Sequence, residues 1–176
     1  MSYIRSRRLE KDYESMKELI LKSPFMEFIA FGTPPERYVV LFRCKGLVWK
    51  SDAPAFSNHH LVEIYLGSEY PTRQPYVKWL TPIFHPNILG SDHRYNPGKV
   101  CLGKWAPSIS LGDLCIKLAE MIQYKNYDTK SPLNTQAAVW ADENAHHLPV
   151  DKRDLSAPDD VFDKDFEEKV DLQILE

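Results

Sequence analysis

The chain has 176 residues, 43% of them hydrophobic and 27% charged, at a formal net charge of −3. That length and balance fit one globular domain with an extension and exclude a globally disordered chain. The net charge argues against nucleic acid as a bulk partner, and it is unevenly spread: residues 148–176 hold ten acidic and four basic side chains, leaving residues 1–147 at +3.

The N-terminus is charged from Arg5 and has no apolar core of a secretory signal. No apolar run approaches the length that spans a bilayer. Three cysteines, Cys44, Cys101 and Cys115, are an odd number without framework spacing, which predicts reduced thiols in the cytoplasm.

In chain order, Leu9, Tyr13, Met16 and Ile20 recur at i, i+4, i+7 and i+11, predicting an amphipathic helix over residues 4–22. Its other side carries Arg7, Lys11, Glu14, Glu18 and Lys22, flanked by Arg5 and Arg8. Such a set reads most simply as a solvated face, with Glu18 and Lys22 placed for an i,i+4 pair. Strands are predicted over residues 25–31, 38–48, 60–66 and 76–80, and their hairpin-like spacing predicts an antiparallel meander. Cys44 falls inside the second of these as a packed thiol.

Strand patterning stops after Leu80 and gives way to a helix start at Ser110, where Ser110 and Asp113 form an S-x-x-D capping arrangement. Leu111, Leu114, Cys115, Leu118, Met121 and Ile122 make that helix's apolar stripe, so Cys115 belongs to the core. A further helix is expected from Thr135 through Ala137, Ala138, Trp140 and Ala141. In the acidic extension, Val161, Phe162, Phe166 and Val170 predict a short helix over residues 161–175. A run of strands followed by helices indicates an α+β domain with helices on one side of an antiparallel sheet.

The irregular stretch IFHPNILGSDHRYNPGKVCLGKW, residues 83–105, carries the chemistry. A metal site would draw on His85, His93 and Cys101, but these are spaced by eight and lack the close ligand pair of structural zinc sites. An inert cysteine has a strong prior because free cysteine is commonly buried. Cys101, however, follows Pro97-Gly98-Lys99 and precedes Leu102-Gly103, the punctuation of a loop, where chemistry is commonly placed. As a nucleophile, Cys101 could use the side-chain N–H of Asn87, held in direction by Pro86, to stabilise an oxyanion. No strong base for Cys101 is evident, which favours thioester exchange over amide hydrolysis. His85 and His93 keep a cysteine hydrolase open.

An ordered set of motifs runs through the same region: Tyr70-Pro71, Pro75, residues 77–80, His85-Pro86-Asn87, Cys101-Leu102, Trp105-Ala106-Pro107, the helix from Leu111, and Pro132-Leu133-Asn134. Over residues 4–147 this set resembles the catalytic domain of the ubiquitin-conjugating enzyme family. The resemblance implies the UBC-like fold: an N-terminal helix, a four-stranded antiparallel meander, an active-site loop, then helices on one side. It divides the chain into a catalytic domain, residues 1–147, and an acidic extension, residues 148–176.

The resemblance further implies that Cys101 takes the C-terminus of ubiquitin or a ubiquitin-like protein from an activating enzyme as a thioester. Asn87 then supports the oxyanion or the active-site loop, while His85 and Pro86 are structural. Ser131 falls at the gate beside the incoming amine, and Asp128 supplies a nearby carboxylate. Arg5 and Arg8, with Arg7, and Trp105 with Pro107 fall where the family meets activating enzymes and ligases. A protein acceptor completes the partners; no cofactor, metal, nucleic acid or membrane is implied.

Three departures stand out. Asn87 and Cys101 are fourteen residues apart, longer than is common in the family, with the extra length at residues 90–97. The segment from Cys101 to Trp105 is short, and Thr72 replaces a large apolar residue. These edits reshape the rim where acceptors and ligases approach. Residues 132–155 are similar to divergent bacterial relatives, some of them from anti-phage conjugation pathways. A non-catalytic binding module on the same fold is the competing reading; such members lack the cysteine that this chain keeps.

Overall fold

A computed structural model describes residues 3–156; the helix expected over residues 161–175 lies outside the described residues. In chain order the elements are α1 (Tyr3–Lys22), β1 (Met26–Gly32), β2 (Pro35–Phe42), β3 (Gly46–Lys50), β4 (Ala53–Ser57), β5 (His60–Tyr65), β6 (Tyr76–Trp79), α2 (Leu111–Ile122) and α3 (Thr135–Glu143), followed by a 3₁₀ turn, Ala145–His147.

Strands β1, β2, β5 and β6 pair antiparallel in that order, giving the expected four-stranded meander. The strand expected over residues 38–48 is two strands. The chain leaves the ladder after Phe42, where Arg43 N donates to Phe25 O at 2.7 Å, and re-enters a separate hairpin, β3–β4. Cys44 therefore lies buried in the break and not in a strand. Gly46 fixes the re-entry: a Cβ there would stand 2.5 Å from Ile122 Cγ2 and 2.8 Å from His60 Nε2. The hairpin turns at Ser51 and Asp52, both at positive φ, the backbone of a tight primed turn. Ser-Asp is a faint signal for that turn beside the usual Asn-Gly.

Alternation on β2 and β5 sends Tyr38, Val40, Phe42, Val62 and Ile64 to one face, where they meet Leu9 and Met16 of α1 and Leu114, Cys115 and Leu118 of α2. The buried stripe of α1 is Leu9, Asp12, Met16 and Leu19, with Tyr13 and Ile20 packed at its edge. On its solvated face the ion pair is Glu14–Lys17 at 2.7 Å, in place of the expected Glu18–Lys22. Helix α2 starts with the predicted box: Ser110 Oγ accepts from Asp113 N, and Asp113 Oδ2 accepts from Ser110 N. A second, smaller cluster of Leu47, Phe84, Tyr124, Ala137 and Ala141 lies under α3.

The start of the acidic extension packs on the domain. Leu155 is buried in the main core, Asp151 accepts from Lys45 N at 3.0 Å, and Asp151 pairs with Arg153 at 2.6 Å. Among the described residues no helix is long and apolar enough to cross a membrane.

Candidate active site

The His85-Pro86-Asn87 segment is a clasp. Phe84 N donates to Leu47 O at 2.7 Å, tying the segment to β3. The buried His85 ring lies 5.0 Å from the Tyr124 ring, and its Nδ1 accepts from Asn87 N at 3.1 Å. An accepting Nδ1 places the neutral ring's proton on Nε2. Burial pushes the His85 pKa down to about 3, offset only in part by the backbone of Asn126. Pro86 O accepts from both Leu133 N, 2.8 Å, and Asn134 N, 2.9 Å. Asn87 is 7% exposed; its Oδ1 accepts from Asp128 N at 2.7 Å and its Nδ2 donates to Asp128 O at 2.8 Å. The clasp thus holds both ends of the loop over residues 128–134.

Cys101 is held against the same segment. Its backbone N donates to Asn87 O at 2.9 Å, Ile88 bridges Val100, Leu89 N donates to Lys99 O, and Gly98 N donates to Leu89 O. Residues 87–101 therefore form a narrow hairpin, open at Asn87 and Cys101 and closed by the extra residues 90–97. Gly98 anchors it: φ is +76°, Trp79 N donates to Gly98 O at 2.8 Å, and a Cβ would fall 2.3 Å from Trp79 O. No other residue type fits that approach. On the far side of Cys101, Lys117 of α2 donates to Leu102 O.

Of the three thiols only Cys101 is exposed. Burial pushes Cys44 and Cys115 up to about 12, with the Asp151 carboxylate adding to the effect at Cys44, so neither ionises near neutral pH. The structure brings His85, Pro86, Asn87, Asp128 and Cys101 together through backbone and side-chain hydrogen bonds. Asp128 is exposed, and its Oδ1 accepts from Lys130 N at 2.8 Å; Ser131 follows on the same loop, also exposed. Neither histidine serves the thiol: the His85 Nδ1 is spent on Asn87 N, and the His93 ring bonds the backbone of Tyr95 within its own loop. Among the described residues no three His, Cys, Asp or Glu side chains gather as a metal-ligand group.

A family model described as "Ubiquitin-conjugating enzyme" matches residues 8–150. The chain belongs to the ubiquitin-conjugating enzyme family. It is 28% identical over 142 residues to Ubiquitin-conjugating enzyme E2 16 of Schizosaccharomyces pombe, covering 75% of this chain and 78% of that protein. To Ubiquitin-conjugating enzyme E2 2 of Kluyveromyces lactis it is 25% identical over 179 residues, covering 96% of this chain and 100% of the relative. A solved structure titled "Novel Ubiquitin-Conjugating Enzyme" superposes with a TM-score of 0.57 at 21% identity, over 81% of this chain and 88% of that one, a likeness of fold. Thioester-mediated transfer is the general chemistry of such enzymes, and this one is a transferase of that kind.

The expected docking residues of this ubiquitin-conjugating enzyme also hold its fold together. Arg5 is half-buried, pairing with Glu36 at 2.8 Å and donating to Leu66 O and Gly67 O. Arg8 donates to Asp12, to Tyr70 Oη at 2.8 Å, and to the carbonyls of Pro107 and Ile109. Trp105 is half-buried against Tyr70, and its indole N–H donates to Pro71 O at 2.8 Å. Pro107 is exposed, as is Arg7 of the same arginine set. At the centre lies Asp12, 1% exposed, which accepts from Arg8, from Tyr70 Oη at 2.6 Å and from Leu111 N at 3.0 Å. Sequence reasoning missed Asp12; its only sequence signal is a charged residue three positions after Leu9 on the apolar face.

Proposed function

We propose that this enzyme accepts the C-terminus of ubiquitin or a ubiquitin-like protein on Cys101 and passes it to an amine of a protein acceptor. The observation that carries the reading is the exposed Cys101, whose backbone is hydrogen-bonded to Asn87, while the other two thiols are buried. In loading, the Cys101 thiolate attacks the carbonyl carbon of the activating enzyme's thioester; a new C–S bond forms and the activating enzyme's thiolate leaves. In transfer, a neutral amine attacks the thioester carbon, a C–N bond forms, the Cys101 thiolate leaves, and the amine sheds its proton.

Asn87 has one amide N–H left after bonding Asp128, and that proton is the donor for the oxyanion of the tetrahedral intermediate. A lysine acceptor, with an ordinary pKa near 10.4, must lose a proton first; the exposed Asp128 carboxylate and Ser131 hydroxyl are the polar groups at the gate. The hairpin tip over residues 91–96 filters acceptors at the rim and leaves the chemistry alone. Arg5, Arg7, Arg8, Trp105 and Pro107 frame the face for activating enzyme and ligase. A bacterial anti-phage setting belongs to the same reading; genes for an activating enzyme and for a modifier ending in glycine, found beside this one, would support it.

Incubation with activating enzyme, modifier and ATP tests the reading. The wild type is expected to give one adduct cleaved by thiols, Cys101→Ser a hydroxylamine-sensitive ester only, and Cys101→Ala none. A thiol-cleaved adduct on Cys101→Ser, or no adduct on the wild type with its cognate pair, overturns it. Native alkylation that labels Cys101 alone separates the enzyme from a binding module with an inaccessible thiol.

A further inference from the structure

Between the β3–β4 hairpin and the outer face of α3 lies an open groove of about 350 Å³, within the size range of side-chain and small-ligand sites, that the transfer chemistry does not use. One wall is the cross-strand pair Trp49 and Pro54; the other is Val139, Trp140 and Glu143 of α3. Trp49 is 40% exposed and Val139 52%, so the apolar surface faces solvent. The walls are fixed from beneath by Phe84, whose ring lies 5.1 Å from Trp49 and 6.1 Å from Trp140. The single ionisable group on the lining is the exposed carboxylate of Glu143, which joins no ion pair among the described residues.

The position matters as much as the lining. Thr135, at the groove's end of α3, is four residues beyond Ser131, at most about 14 Å of chain, and Phe84 adjoins His85. A polypeptide that offers an amine at the gate can therefore reach the Thr135 end of the groove with a residue a few positions away. It reaches Glu143, about 12 Å further along α3, with the far end of a long side chain or with a residue slightly beyond.

We propose that the groove binds an arginine or lysine side chain of the acceptor polypeptide, a few residues from the amine that is modified. The inference rests on the proposed conjugation at Cys101. The aliphatic stem lies along Pro54 and Val139, the cationic head meets the tryptophan faces, and Glu143 supplies a charge-assisted acceptor. A purely aliphatic occupant would desolvate Glu143 without a partner, which is costly. The chain's own residues 157–176 are a poor occupant, because they carry eight acidic and two basic side chains against Glu143 and the exposed Asp142 on the same helix.

The test uses peptides with one lysine and, four residues on, arginine, alanine or glutamate. Discharge of the preformed thioester onto each is timed, and binding to the unloaded Cys101→Ala protein is followed by the NMR shift of the Trp49 indole. The arginine peptide is expected to outpace the alanine peptide by about three- to tenfold, the scale of an exposed cation–π contact with a screened carboxylate. Glu143→Arg should lose that preference and favour the glutamate peptide, with loading and discharge onto free lysine unchanged. Equal discharge onto all three peptides, or a preference that survives Glu143→Arg, overturns the inference. So does a concentration-dependent dimer that Glu143→Arg abolishes, which assigns the groove to a second copy. If no thioester forms at all, the conjugation reading fails, and the binding arm still decides the groove: no arginine-dependent shift at Trp49 sinks it.

Discussion

At the scale of single residues, the proposed transfer gives Asn87 two jobs for one amide. Its oxygen and one N–H are fixed on the backbone of Asp128, and only the second N–H remains for an oxyanion. Removing the side chain in Asn87→Ala leaves the Asp128 N–H and C=O short of partners, at a cost of about 1–3 kcal/mol. It also removes a donor of a kind worth about 10²–10³ in rate. Single-turnover discharge onto lysine should fall on that scale, while loading by the activating enzyme falls far less. Asn87→Asp keeps the acceptor for Asp128 N but sets a carboxylate oxygen against Asp128 O, so it should recover no discharge. A variant that discharges as fast as the wild type would show that the amide is a loop clasp alone. His85, Asn87 and Cys101 were legible in the sequence because a motif on a loop stands out from periodic packing. Asp12 was not legible: an aspartate on a charged helix looks solvated until Arg8, Tyr70 and Leu111 are seen to converge on it.

Among the elements, the helices were the most legible, since period and caps are local signals, and the Ser110–Asp113 box was found as expected. The break between β2 and β3 was not, because the strand-forming runs at residues 38–42 and 47–48 are separated only by Arg43-Cys44-Lys45-Gly46, which holds no proline or Asn-Gly pair to mark a turn. What stops the strand is tertiary: Gly46 crowded by Ile122 and His60, and Arg43 turned toward Phe25. Asp12 joins α1 to α2, and two variants separate its charge from its geometry. Asp12→Ala leaves the half-buried Arg8 without its carboxylate and should cost about 3–5 kcal/mol in urea denaturation; Asp12→Asn, which keeps an oxygen for Leu111 N, should cost less. The inserted hairpin tip makes the opposite prediction. Its base is pinned by Leu89, Gly98 and Trp79, so replacing residues 91–96 with Asn-Gly, a turn suited to a tight hairpin, should leave stability and loading nearly unchanged. Discharge onto a folded protein acceptor should change several-fold, and discharge onto free lysine should not. If free-lysine discharge changes equally, the tip acts on the thioester itself.

Over the whole molecule, the two cores each enclose a histidine, and neither burial could be read from the sequence, where an isolated His fits a surface or a core equally well. His60 lies beside Trp79 with Nε2 against Ser57 O at 3.1 Å, and burial pushes its pKa down to about 4. His85, in the second cluster, is pushed down to about 3. In the unfolded chain both return to about 6.5. The unfolded state then binds more protons than the folded state below that value, so stability is full above about pH 7 and falls as pH drops through 6.5 toward 4 and 3. At most about 1.4 kcal/mol per pH unit is lost for each histidine, or on the order of 2–4 kcal/mol for the pair between pH 7 and 5. Asp151 acts in a lower window. Its folded pKa is drawn down to about 2: burial opposes ionisation, and hydrogen bonds from Arg153 and the Lys45 backbone outweigh it. Its contribution is therefore intact above about pH 4 and disappears only as pH falls toward 2. Urea midpoints at pH 7 and 5 should differ accordingly, and His60→Gln should flatten the dependence by removing one of the two titrations. A midpoint that does not move between pH 7 and 5 would mean that both rings take up protons without unfolding, and a shift of half the expected size that one of them does. For His85 that would loosen the clasp on Asn87, so acid would weaken transfer before it unfolded the chain.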